Sequence, residues 1–109
     1  MIRLALRVAR AVGHTEMMAG IPGNLATLAL DRNDWPQAET LAREALPLSK
    51  KVGRQQLIAG NCHRLALALV QQGKRAEALP YAQRAVDIFT RLLHSDLEHA
   101  RATLAECEA

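Results

Sequence analysis

A chain of 109 residues with a formal net charge of +3 has enough length for one modest core, and its positive charge is too sparse for a nucleic-acid surface. Half of the residues are hydrophobic but only 3% are aromatic, which argues against a sandwich or barrel and for helices packed through small aliphatic side chains. No apolar run reaches the roughly 18 residues of a membrane span, and the arginines within Met1-Ile2-Arg3-Leu4-Ala5-Leu6-Arg7 argue against a secretory leader.

The spacing of Ile2, Ala5, Leu6, Ala9 and Val12 predicts a helix over residues 1–12, with Arg3, Arg7 and Arg10 forming a solvated basic ridge. Leu4 and Val8 lie beside the apolar stripe, and Leu4 stands where the offset of forty brings Glu44 and Arg84, so the two make a candidate greasy patch. Gly13 and His14 form a turn, and a second helix is predicted from Thr15 to Arg32, with Thr15 as N-cap. Gly20, Pro22 and Gly23 are expected to kink it or delay its start. After an Asn33-Asp34 turn, Asp34 caps a third helix running to Val52, with Pro36 in its first turn and a bend expected at Pro47. Gly53 supplies the left-handed residue that ends it. A fourth helix follows over Gln55–Gln72 and a fifth over Arg75–Leu93, the latter with Pro80 near its start. His94 and Ser95 break the chain, and Ser95 or Asp96 caps a sixth helix reaching Cys107.

These helices repeat. Val12-Gly13 and Val52-Gly53 open two stretches of the same pattern, forty positions apart, which close at Leu25-Ala26 and Leu65-Ala66. The offset also superposes Ala38 on Ala78, Ala42 on Ala82, and Ala5, Ala45 and Ala85 on one position; a partial third copy closes at Leu104-Ala105. Such self-similarity marks a stack of repeats, and alanine at recurring positions marks close helix crossings. The chain is therefore divided as one domain over 1–109. Residues 1–12 are the second helix of a truncated repeat, 13–52 and 53–93 are full repeats, and 94–109 form a terminal helix or cap.

Asn24-Leu25-Ala26, Asn33-Asp34-Trp35, Ala38, Leu41-Ala42 and Ala45-Leu46 resemble the tetratricopeptide repeat, and Leu65-Ala66, Gln72-Gly73-Lys74, Ala76-Glu77-Ala78-Leu79, Tyr81-Ala82 and Ala85-Val86 repeat the pattern. The period is longer than the usual value of about 34 residues. It looks like the long-repeat branch seen in kinesin light chains, spindle scaffolds and bacterial signalling proteins. The resemblance implies an all-α superhelix of antiparallel hairpins, about six helices, with the first helix of each repeat lining a concave side. It implies a peptide-binding groove at Asn24, Thr27, His63, Arg64 and Leu67, beside Gly20, Gly23 and Gly60. The family's groove asparagine matches Asn24; its counterparts are Arg64 and Thr103. Trp35 falls where the family packs an aromatic residue into its core.

Arg64 beside His63 suits a carboxylate, because guanidinium presents a planar pair of donors. The expected partner is thus a protein or peptide, acidic in character, with no role for nucleic acid or membrane. The alternative is a structural role as a self-associating scaffold segment of a larger bacterial regulatory protein, with Leu4 and Val8 carrying a weak homodimer. Catalysis has no supporting constellation. Cys62 and His63 are helix neighbours that point in different directions, His94 and His99 are not spaced to share an ion, and no glycine-rich phosphate loop is present. A non-catalytic module with no cofactor and no metal is expected. Cys62 and Cys107, lacking metal-type spacing, read as reduced thiols of a cytoplasmic protein.

Overall fold

A computed structural model describes the backbone of residues 15–108 and the side chains of residues 23–108. The described residues form five helices: α1 (Thr15–Asp31), α2 (Trp35–Val52), α3 (Gln55–Gln71), α4 (Arg75–Leu92) and α5 (Leu97–Glu108). The helix predicted over residues 1–12, with Leu4 and Val8, lies outside the described residues; the other five end within two residues of their predicted bounds. The sequence period is also a structural one. Thr15 and Gln55 open α1 and α3 forty residues apart, and Trp35 and Arg75 open α2 and α4 at the same interval.

The turns are held by helix-end chemistry. Asn33 closes α1 with φ 59° and Gly73 closes α3 with φ 79°. In each case the following amide reaches back five residues, Asp34 N to the Ala29 carbonyl and Lys74 N to the Leu69 carbonyl, both at 2.9 Å. Asparagine serves where glycine is commoner because its short polar side chain tolerates the left-handed region. Leu93 adopts the same conformation at the end of α4, with φ 51°, and His94 N bonds the Phe89 carbonyl at 3.0 Å. Asp34 caps α2 as expected, its Oδ1 accepting from Gln37 N at 3.4 Å, and Gly53 ends that helix in the left-handed conformation. Pro47 and Pro80 lie inside α2 and α4 without ending them. The helix α1 likewise runs unbroken through position 22, and Thr15 is its first residue rather than its cap. Packing of Ala26 and Ala29 into the core outweighs the local cost of the glycine and proline.

Successive helices pack as antiparallel hairpins, and α1 and α5 also approach α3, so the first helices of the repeats stand in one row. The hairpin superhelix expected from the repeats is the architecture found. Small residues make it compact: Ala38, Ala42, Ala45, Ala66, Ala78 and Ala85 are fully buried. Leu65, Leu69 and Phe89 fill the larger gaps. Trp35, expected in the core, is only partly buried at the first position of α2.

On the outer row α2 and α4 are joined by side chains. Glu39 accepts from Arg43 at 2.9 Å, Gln72 at 3.0 Å and Lys74 at 3.2 Å, and Arg43 reaches across to Glu77 at 2.8 Å. Burial alone would raise the Glu39 pKa, but the bonds from Arg43, Gln72 and Lys74 outweigh it and hold the carboxyl below its ordinary 4.5. A depressed acid stabilises the fold above its unfolded pKa and loses that contribution as pH falls through the folded value. Melting of the wild type should therefore drop steeply below about pH 4.5, and Glu39→Gln should flatten part of that drop. At neutral pH the substitution should cost only about 0.5–1 kcal/mol, since the partners are largely solvated. Identical acid limbs for the two proteins would remove Glu39 from the balance.

Candidate functional site

The inner row of helices presents a polar seam built from consecutive residues of α3. Arg64 is turned toward α1: its Nε donates to Thr27 Oγ1 at 2.9 Å and its Nη1 to Asn61 Oδ1 at 3.0 Å. Thr27 completes the chain by donating to the Gly23 carbonyl at 3.2 Å. His63 is turned toward α5, with Nε2 at 3.0 Å from Thr103 Oγ1. Because the Thr103 hydroxyl donates to the His99 carbonyl at 3.2 Å, its free lone pair accepts from His63, which assigns the ring proton to Nε2. One step of about 100° around a helix is what sends neighbours 63 and 64 to opposite partners.

Two glycines make room for this seam. A Cβ at Gly23 would stand 2.8 Å from Asn61 Oδ1 and 3.2 Å from Arg64 Nη1, and one at Gly60 would stand 3.3 Å from the same Nη1. A side chain at Gly23 would collide with the Asn61 amide and crowd the guanidinium, and one at Gly60 would crowd the guanidinium alone. Asn61 itself is 1% exposed, and its Nδ2 has no hydrogen-bond partner. Arg64 can only donate, so it fixes Oδ1 outward and turns the amide nitrogen into the core.

Between α1, α3 and α5 the seam borders an open pocket of about 220 Å³, walled by Thr27, Leu30, His63, Arg64, Leu67, Asp96 and His99, with Gly60 in its floor. Four of the five residues expected in a groove, Thr27, His63, Arg64 and Leu67, meet here. Asn24 is exposed on α1 and does not line the pocket. The sequence reading missed Asp96 and His99, which come from the turn before α5 and from its first residues. It also missed Asn61. The 39-residue offset to Leu104-Ala105 had placed Thr103 opposite Arg64 in the third copy; that alignment was the available signal for a contribution from α5.

Burial lowers the His63 pKa; Asp96 works against this, while Arg64 and His99 add to it, so the ring is neutral at physiological pH. Burial also pulls the Arg64 pKa down, partly offset by Asp96, yet a guanidinium stays charged. Two of its five N–H groups are engaged. Its Nη2 makes no hydrogen bond among the described residues, leaving donors for a further acceptor. Both cysteines are free and buried, and burial raises the pKa of each, which keeps them as unreactive thiols. Among the described residues no group of three histidine, cysteine or acidic side chains is placed to hold a metal ion, and none of the helices is long and apolar enough to cross a membrane.

A family model of the tetratricopeptide repeat matches residues 15–91. No curated protein matches the chain.

Proposed function

The chain belongs to the tetratricopeptide repeat family, and we propose that this protein-interaction module receives an acidic segment of a partner protein on its inner face, against Thr27, His63, Arg64 and Leu67. The observation that carries the reading is the half-satisfied Arg64 guanidinium. Thr27 and Asn61 hold it in place from two sides, and its remaining donors border an open pocket. Preorganising the donors reduces the side-chain entropy lost on binding, so a carboxylate there gains more than one meeting a free surface arginine. His63, tied to Thr103, and Leu67 give the same pocket a polar wall and an apolar one. The family is in general a non-catalytic interaction fold.

The test uses acidic peptides selected on the intact chain from an unbiased library. Arg64→Lys keeps the charge and should weaken binding by about 1.5–3 kcal/mol, the range for a hydrogen bond to a charged group. Raising the salt concentration should weaken it further. Thr27→Val leaves the guanidinium in place but removes one of its anchors, and should produce a smaller loss. An acidic peptide whose affinity ignores both Arg64→Lys and salt would overturn the assignment of this pocket, as would a library that yields only neutral or basic binders.

A further inference from the structure

Two charged groups line the inner pocket with bonding capacity to spare, and they have opposite signs. Arg64 is the first: Thr27 and Asn61 engage its Nε and Nη1, and Nη2 is left over. Asp96 is the second. It stands one residue before α5, where an aspartate ordinarily spends its carboxylate capping the first amides of the helix. Here it does not. The Asp96 carbonyl accepts from Ala100 N at 3.0 Å and so starts the helix, while the side chain accepts no hydrogen bond among the described residues. Two histidines lie nearby, and neither satisfies it. His94 Nδ1 is 3.7 Å from Asp96 Oδ2, but that nitrogen accepts from Asp96 N at 3.1 Å and has no proton to donate. His99 Nδ1 is 4.0 Å from Oδ1, beyond hydrogen-bond range, on a side chain that is 80% exposed.

The acid and the guanidinium act on each other without bonding. Asp96 raises the pKa of both Arg64 and His63 against the pull of burial, yet Arg64 donates only to Thr27 and Asn61. His63 cannot serve Asp96 instead, because its Nε2–H is committed to Thr103. A guest bearing acids alone satisfies Arg64 but brings further negative charge toward Asp96 and displaces its water. Like charges brought together, and a carboxylate covered without a donor, both cost affinity. A guest with a cation beside its acid meets both groups at once. The pocket, about 220 Å³ and open, has room for the two side-chain heads.

We propose that Asp96 selects the guest of this pocket: a segment in which lysine or arginine stands close to the acid, with the acid on Arg64 and the cation on Asp96. The inference rests on the groove reading and narrows it, from an acidic segment to one of mixed charge. Asp96 works by exclusion as much as by attraction, since it turns away segments that are acidic throughout.

The test is a peptide library with one fixed glutamate and randomised flanks, selected on the intact chain at about pH 8, where imidazole is neutral. Wild type should enrich lysine and arginine close to the glutamate. Asp96→Asn should lose that enrichment, and Asp96→Lys should reverse it toward a second acid, with Arg64 still required in both. Asp96 is exposed, so neither substitution disturbs the core. For one selected peptide, replacing its cation by glutamine should weaken binding roughly fivefold on wild type and hardly at all on Asp96→Asn. Peptides that need Arg64 but show no preference for a cation would overturn the role of Asp96 and leave the groove standing. A cation preference that survives Asp96→Asn would do the same. Peptides indifferent to Arg64→Lys would remove both readings.

Discussion

Phe89→Ala is expected to destabilise the fold by about 3–5 kcal/mol, the largest loss from any single truncation here. Phe89 is the largest of the fully buried side chains, at 1% exposure. Its ring contacts His94 across the turn, so truncation opens a cavity and also loosens the closure that sets α5 against α4. A domain of this size has only about 5–15 kcal/mol in hand, so the variant should unfold well before the wild type in urea. A shift of less than about 1 kcal/mol would mean that α5 does not depend on this ring for its seat.

The second large effect comes from adding volume instead of removing it. Ala85 is fully buried, as is Ala45 forty residues before it, at points where two helices lie close. Ala85→Leu brings three extra carbons into a space with none to spare and should cost about 1–3 kcal/mol. Gln83→Leu on the exposed side of the same helix is the control and should be close to neutral. Were thermal melts to rank the two the other way, the helix would be rotated from the register described.

These two positions also mark how far the sequence could be read. Ala85 was legible because repetition marks it: alanine recurs at Ala45, and close helix crossings admit little else. Phe89 was not, because its repeat equivalent is Ser49. A serine there suggests a surface, yet Ser49 is fully buried too, its hydroxyl donating to the Leu46 carbonyl at 2.8 Å. One position carries a small satisfied polar group in one repeat and a large ring in the next, and identity-based alignment hides that. The inner pocket divides similarly. Thr27, His63, Arg64 and Leu67 were implied by the resemblance to the tetratricopeptide repeat, whereas Asp96 and His99 enter through a turn whose length breaks the forty-residue offset. Asn61 escaped notice because its role depends on where Arg64 points. Asn33, which stands where the next repeat has Gly73, adopts the same left-handed backbone conformation.

The helix α3 touches all four of the other described helices, and through Arg64 and His63 it bonds to α1 and α5 at once. In a stack of this kind, end units can open at the cost of one interface, while the middle can open only after losing several. Backbone amides of α3 are therefore shielded by nearly the whole unfolding free energy, and those of α1 and α5 by a fraction of it. A guest gripped through Arg64 and His63 sits on the last part of the molecule to fray, so the ends can breathe while it stays held.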